Sequence, residues 1–191
     1  MAILVTVIGG AFAATLARAQ SGDEEAFACL FRDIQPALLR YLRVIAPQDA
    51  EDVASQTWLE VVAGLDRFTG SEEAFRAWLF TIARHRSVDA GRKRARRPTV
   101  PLTEGDEGAG PAASDTADLA LERDSVRAVL KLISSQLPRE QAEIIMLRVV
   151  AGLDTHAVAE IVGKTPGAVR VAAHRGLRRL AGSVDRAGVT Q

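Results

Sequence analysis

The chain has 191 residues, with 24 basic and 24 acidic side chains, so its formal net charge is zero. Hydrophobic residues make up 48% and charged residues 25%, which is ordinary globular usage and argues against wholesale disorder, collagen and coiled coil. A single cysteine, Cys29, excludes an internal disulfide framework, and the three histidines lack the paired spacing of metal ligands. We therefore expect one domain or two small ones, with no metal and no cofactor.

The neutral sum hides an uneven distribution of charge along the chain. Residues 84–97 carry seven bases and one acid, and residues 164–179 carry five bases and no acid. Residues 99–124 carry seven acids and one base, and residues 49–60 carry four acids and no base. The two basic segments are compatible with a nucleic-acid partner. Binding to nucleic acid depends on where the positive charges lie and not on the net charge of the chain.

Residues 1–14 form an apolar stretch with three possible interpretations. It is an apolar extension that leads into the first helix, a membrane or export signal, or an over-extended start with folding beginning near Thr15. A secretory signal requires basic residues before its apolar run, and none precedes this one. The run is also shorter than the ~20 residues of a membrane-spanning helix. We favour the extension.

The following residues show the apolar spacing of helices, and none alternates as a strand would. A first helix follows residue 23, passes Pro36 and ends before Pro47; a second spans residues 49–65; a third begins after residues 70–71 and runs into the basic residues. The apolar stripes comprise Ala26, Phe27, Leu30, Phe31, Ile34, Leu38, Leu39, Leu42 and Ile45 in the first helix, Ala54, Trp58, Val61, Val62 and Leu65 in the second, and Phe75, Trp78, Leu79 and Ile82 in the third.

Residues 98–118 are rich in proline, glycine and acids, which predicts a flexible acidic linker. About 20 residues of this kind span roughly 25 Å, so the helical domains on either side can sit apart. We thus predict an all-α chain of two small helical domains. Its segments are an apolar extension at 1–14, a first domain at 15–97, the linker at 98–118, a second domain at 119–182 and a tail at 183–191.

The second domain ends in a predicted helix-turn-helix. Asp154 is a candidate N-cap, Gly163 suits a left-handed C-cap, and Thr165-Pro166 begins the last helix. At 100° per residue, that helix has an apolar side and a side that is small and basic enough to enter a major groove. The alternative is an ordinary solvated face. The apolar side holds Val169, Ala172, Ala173, Leu177 and Leu180, and the basic side holds Gly167, Arg170, Val171, His174, Arg175 and Arg178.

Aromatic residues lead into bases in the third helix of the first domain. Phe75, Trp78 and Phe80 precede residues 84–86 (RHR), and interleaved aromatics and bases are typical of surfaces that hold single strands. The alternative is structural: Phe75 and Trp78 lie on the apolar stripe and are expected in the core, whereas Phe80 lies off it.

Three segments together resemble a known family. Residues 49–58 (DAEDVASQTW) resemble a polymerase-binding helix, residues 75–89 (FRAWLFTIARHRSVD) a segment that melts and reads the −10 element, and residues 137–180 a region that reads the −35 element. Over about residues 15–97 and 119–182 the chain is similar to bacterial RNA polymerase sigma factors of the sigma-70 family, extracytoplasmic-function (ECF) subgroup. It departs from the family pattern at Gln56, where an acid is usual, and at His85, where Asn is common.

The resemblance implies a cytoplasmic, non-enzymatic promoter-specificity subunit. Its implied partners are core RNA polymerase, through the β′ clamp helices and the β flap, promoter DNA, and an anti-sigma factor, through which alone it would associate with a membrane. The acidic linker would occupy the polymerase channel that later takes RNA. The implied polymerase-binding residues are Asp49, Glu51, Asp52, Gln56 and Trp58; the −10 residues are Phe80, Arg84, His85, Arg86, Arg92 and Lys93; the −35 residues are Thr165, Gly167, Arg170, Val171, His174, Arg175 and Arg178.

Other classes of function explain fewer of these features. A stand-alone helix-turn-helix regulator accounts for residues 137–180 but leaves the acidic helix and residues 78–97 without a role. An enzyme would need a nucleophile–base pair, a phosphate loop or a metal cluster, and the sequence suggests none of these. A structural adaptor would not need two basic surfaces.

Overall fold

The computed structural model describes the backbone of residues 8–96 and 117–188, and the side chains of residues 8–96 and 124–183. All regular elements in these ranges are helical, which confirms the predicted all-α fold, and none of the described helices is long and apolar enough to cross a membrane. The predicted linker up to residue 116 lies outside the described residues, as do residues 1–7 and 189–191. The helices are α1 (Phe12–Gln20), α2 (Glu24–Ile45), α3 (Ala50–Gly64), α4 (Glu72–Arg96), α5 (Ala117–Gln136), α6 (Arg139–Ile145), α7 (Thr155–Val162) and α8 (Pro166–Gly188), with 3₁₀ turns at Gly9–Ala11 and Leu65–Arg67 and a π-helical turn at Met146–Val150.

The packed part of the chain begins before residue 15. Phe12 of α1 is buried, and its ring centroid lies 5.7 Å from that of Phe75. The backbone amides of Ile8 and Gly9 donate to the Glu72 carboxylate at 3.3 and 2.9 Å, which satisfies donors at the start of a helical segment. Part of the predicted N-terminal extension, including Phe12, therefore packs against the first domain.

α2 is the central helix of the first domain, and α1, α3 and α4 pack around it. Asp23 caps it by accepting a hydrogen bond from the Ala26 amide at 3.0 Å; this bond, together with Arg18, lowers the pKa of Asp23. The helix continues through Pro36 without a break. Its buried side chains are Ala26, Leu30, Ile34, Ala37, Leu38, Tyr41, Leu42 and Ile45.

A buried ion cluster ties α2 to α4. The Arg76 side chain is 4% exposed and pairs with Asp33 of α2 and with Glu72 one turn earlier on α4, at 3.0 Å from the latter. Desolvation raises the pKa of Asp33 above its usual value, and the positive charge of Arg76 opposes that rise. The apolar periodicity does not indicate this cluster, because it records only where apolar side chains fall.

The predicted caps of the second domain are confirmed. Asp154 accepts a hydrogen bond from the Ala157 amide at 2.7 Å at the start of α7, and Gly163 ends that helix with a left-handed φ of +70°. The Thr165 hydroxyl accepts from the Ala168 amide at 3.2 Å at the start of α8. α7 and α8 therefore form the expected helix-turn-helix.

The two domains pack against each other in this structure. α2 contacts α5, α6 and the π-helical turn, and α4 contacts α7, so one hydrophobic core runs through both domains. On α2, two pairs of consecutive residues are buried, Ala37-Leu38 and Tyr41-Leu42. Consecutive residues point in directions about 100° apart, so the buried face of α2 is wider than a single apolar stripe. The two predicted domains are therefore in contact in this conformation.

Candidate nucleic-acid and polymerase interfaces

The outer side of α3 presents three of the five predicted polymerase-binding residues. Glu51, Asp52 and Gln56 are exposed. The Gln56 amide donates to the Asp52 carboxylate at 2.8 Å, and Glu51 pairs with Arg43 of α2 at 3.1 Å. Gln56 is uncharged and adds no negative charge to this side of α3. Its side-chain amide instead orients the carboxylate of Asp52.

The other two predicted polymerase contacts lie differently. Asp49, just before α3, forms a close ion pair with Arg94 of α4. Trp58 is 6% exposed, and its indole N–H donates to the Gln35 side chain at 2.7 Å. An aromatic ring that is buried with its polar atom satisfied is a core residue. The prediction that Trp58 contacts the polymerase directly is therefore corrected.

Apolar side chains extend the acidic side of α3. Leu59 and Val62 are 72% and 55% exposed, although the periodicity predicts Val62 on the apolar stripe. Charged residues next to exposed leucine and valine are typical of a surface that binds another protein. We call this the α3 surface, and it comprises Glu51, Asp52, Gln56, Leu59 and Val62.

Phe80 of α4 is a core residue. Its side chain is fully buried, and its ring meets that of Tyr41 edge-on with centroids 5.4 Å apart. The prediction that Phe80 stacks on an unpaired base is therefore corrected for this conformation. The physical reason is that α4 packs on both α2 and the second domain, so its buried face is wider than the stripe through Phe75 and Leu79.

Arg84, a predicted −10 residue, is held by the second domain. Its Nε donates at 2.9 Å to Glu143 of α6, and the Tyr41 hydroxyl donates to the same carboxylate oxygen at 3.1 Å. Glu143 is only 9% exposed. Burial, and then the negative charge of Glu143, raise the pKa of Tyr41 well above its usual value. Neither Tyr41 nor Glu143 is indicated by the sequence, since their pairing depends on how the two domains meet.

The remaining predicted −10 residues lie at the surface of α4. His85, Arg92 and Lys93 are exposed, and Arg86 is partly exposed. Arg86 donates to one oxygen of Glu60 at 2.8 and 2.5 Å, so an acid on α3 neutralises it. His85 thus faces solvent next to arginines whose charges are already paired.

α8 presents the predicted −35 face to solvent. Gly167, Arg170, Val171, His174, Arg175 and Arg178 are all exposed, as is the capping residue Thr165. On the opposite side, Val169 is buried while Ala172, Ala173 and Leu180 pack partly against the core. The structure therefore brings the predicted −35 residues together on one free side of one helix.

One residue on the predicted apolar side of α8 lies at the surface. Leu177 is 51% exposed, and the neighbouring Gly176 is buried instead. A Cβ atom at Gly176 would lie 2.6 Å from the Ile145 Cδ1 atom, so α8 packs closely against α6 at this glycine. The centre of the buried sector falls near Gly176, and Leu177 lies 100° away from it.

Known protein families match both domains. The Sigma-70 region 2 family matches residues 30–97, and the Sigma-70, region 4 family matches residues 127–180. The ECF RNA polymerase sigma factor SigD of Mycobacterium tuberculosis (strain H37Rv) is 36% identical over 190 residues, which cover 96% of this chain and 89% of SigD. ShbA of Streptomyces griseus, also an ECF RNA polymerase sigma factor, is 35% identical over 185 residues, which cover 92% of this chain and 94% of ShbA.

Solved structures share the fold. CnrH, in complex with the cytosolic domain of CnrY, superposes with a TM-score of 0.62 at 24% identity, over 93% of this chain and 99% of CnrH. The sigma factor RpoE of Bartonella quintana, in complex with the anti-sigma factor NepR, superposes with a TM-score of 0.60 at 25% identity, over 83% of this chain and 96% of RpoE. The chain belongs to the ECF RNA polymerase sigma factors, which are promoter-recognising and non-enzymatic.

Proposed function

We propose that this sigma factor reads the −35 element through α8, and the observation that carries the proposal is the free basic side of that helix. Arg170 lies in the second turn of α8 and His174 at the start of its third turn, in the N-terminal part with which a recognition helix meets base edges. Arg175 and Arg178 lie farther along and are placed to hold phosphates. Thr165, at the helix N-terminus, adds a site that favours a phosphate oxygen.

The −10 element is proposed to bind along α4. His85 and Lys93 are exposed and accessible to DNA, and the exposed Arg92 pairs with Asp89 at 3.6 Å. Arg84 and Arg86 become available when Glu143 and Glu60 release them. Phe80 is left out of this surface, because it supports Tyr41 in the core.

The α3 surface is proposed to dock on the polymerase. Its acidic side chains are complementary to a basic groove, and we propose that the β′ clamp helices provide this groove. Leu59 and Val62 add apolar area at the centre of the contact. Asp49 becomes part of this surface when its ion pair with Arg94 is broken. Trp58 contributes by holding α3 against α2, without a contact of its own.

The wider cellular setting is also proposed. In this proposal residues 15–97 bind the polymerase and the −10 element, and residues 119–182 bind the −35 element. The linker would lie in the RNA channel of the polymerase, and the second domain near the β flap. A cytoplasmic location follows from the polymerase partner. An anti-sigma partner is proposed because RpoE, a solved relative at 25% identity, is bound to one, and any membrane association would come through that partner.

Alanine at Arg170 is expected to reduce transcription from a −35-dependent promoter when the variant is combined with core polymerase. A base-reading arginine is worth roughly 1–3 kcal/mol and its loss relaxes one base position, whereas Arg178→Ala, a phosphate contact, should weaken all promoters alike and lower the salt slope by about 0.9. Multi-round transcription across a promoter library at several salt concentrations measures both effects. Normal transcription by both variants would remove α8 from the −35 site.

Charge reversal at Glu51 and Asp52 to lysine is expected to abolish co-purification with core polymerase. Both side chains are exposed, so the thermal midpoint should change little beyond the small loss of two acids from the first turn of α3. The matched control reverses Glu24 and Glu73, two exposed acids in the first turns of α2 and α4, and should bind normally. Binding by the Glu51/Asp52 variant would contradict the proposed docking of the α3 surface.

A further inference from the structure

An apolar interruption lies in the middle of the basic side of α8. At 100° per residue, Gly167 and Val171 fall on the same line along the helix as His174 and Arg178. Val171 is 50% exposed although it is flanked by charged side chains. A valine in a helix holds one side-chain rotamer, so this apolar surface has a fixed position.

Gly167 leaves space beside Val171 that the protein itself does not use. A Cβ atom there would meet the Thr165 Oγ1 atom at 4.0 Å, which is an ordinary contact, and no left-handed backbone calls for glycine. Gly176 on the same helix is different, because a Cβ there would collide with Ile145 at 2.6 Å. Packing therefore explains Gly176 but not Gly167, even though glycine is a poor helix former.

We propose that Gly167 and Val171 form a shallow apolar notch that receives the C5-methyl group of a thymine in the −35 element. The inference rests on the proposed function of α8. Thymine presents this methyl group in the major groove, and apolar side chains near the start of a recognition helix are the groups that contact it. Glycine at 167 lets the base edge approach the helix backbone, and the valine covers the methyl group from one side.

The test uses the full chain bound to core RNA polymerase. The holoenzyme first selects its preferred upstream element from a duplex pool randomised at −35. Each thymine of that element is then replaced singly by deoxyuridine, which differs from thymine by the missing methyl group alone. We expect one replacement to weaken binding about fourfold, as the loss of one buried methyl group predicts. For Val171→Ala, the thymine and deoxyuridine duplexes should bind equally at that position.

Two further variants separate this role from general effects. Leu177→Ala removes an equally exposed apolar side chain, 51% exposed, from outside the basic side of the same helix, and should keep the discrimination. Gly167→Ala fills the notch. The Gly167→Ala protein should unfold at or above the wild-type melting temperature, since the position is open and alanine is the better helix former. Its holoenzyme should nevertheless lose more affinity for the thymine duplex than for the deoxyuridine duplex.

The outcomes are distinct. A holoenzyme that selects no upstream element overturns the proposed function of α8 and this inference with it. If an element is selected but every thymine tolerates deoxyuridine, or if Val171→Ala still discriminates, the notch is refuted while −35 reading by α8 stands.

Discussion

Replacing Arg76 by methionine is expected to lower the free energy of unfolding by about 3–5 kcal/mol, because it leaves the buried carboxylate of Asp33 without its counter-ion. Urea unfolding followed by circular dichroism measures the loss. Arg32→Met is the matched control. Arg32 pairs with Glu25 at the surface of α2, with both side chains more than half exposed, so its loss should cost no more than about 1 kcal/mol.

The same variant should show a defined pH dependence. Removing Arg76 takes away the charge that restrains the pKa of Asp33, so desolvation raises that pKa further. An acid with a folded-state pKa above its unfolded value binds protons more tightly in the folded state, and the resulting stabilisation is lost as pH rises through the folded pKa. The deficit of Arg76→Met should therefore shrink toward acid pH, and Asp33→Asn in the same chain should recover part of it at neutral pH. A deficit that is constant with pH would show that packing, not charge, explains the loss.

Glu143→Ala is expected to loosen the contact between the two domains. It leaves the buried hydroxyl of Tyr41 without an acceptor and Arg84 without its counter-ion. An unsatisfied buried polar group costs about 1–3 kcal/mol, which corresponds to a shift of between about fivefold and about 150-fold toward separated domains. A larger radius of gyration by small-angle X-ray scattering, with faster amide exchange in α2 and α6, would report this shift.

The control for Glu143 is its neighbour on α6. Glu140→Ala breaks a pair with Lys164, 3.0 Å long and partly exposed on both sides, and should leave the domain contact intact. A second readout is DNA affinity, because Arg84 is freed to bind phosphate in the Glu143 variant and stays paired in the control. An unchanged radius of gyration in Glu143→Ala would mean that the apolar contacts of α2 hold the domains together unaided.

Local features of the sequence predict most of this fold. The stripes of α2 and α4, the caps Asp154 and Thr165 and the left-handed Gly163 follow from neighbouring residues, and the structure contains each of them. The exposed side of α8 is predictable for the same reason, since a helix wheel needs only a helix with one buried side.

Features that depend on contact between distant segments could not be predicted in this way. Arg76 meets Asp33 across 43 residues, and Tyr41 meets Glu143 across 102. Phe80 packs on Tyr41 of another helix, a contact that the periodicity of α4 alone does not reveal. The polymerase contact predicted for Trp58 came from the family resemblance of residues 49–58, whereas its ring packs on Phe31.

The π-helical turn at Met146–Val150 restricts how the chain length can vary between α6 and α7. A π-helical turn holds one residue more than an α-helical turn, and this one ends α6 with Met146, Leu147 and Val150 buried. Deleting one residue would restore a regular helix and turn the side chains that follow the deletion within the turn by about 100° around its axis. It would also displace the groups that hold the following loop, where the Leu153 amide donates to the Leu147 carbonyl and Arg148 donates to the Leu153 carbonyl, just before the cap at Asp154. Single-residue insertions and deletions in this turn should therefore be far less tolerated than substitution of its exposed Val149.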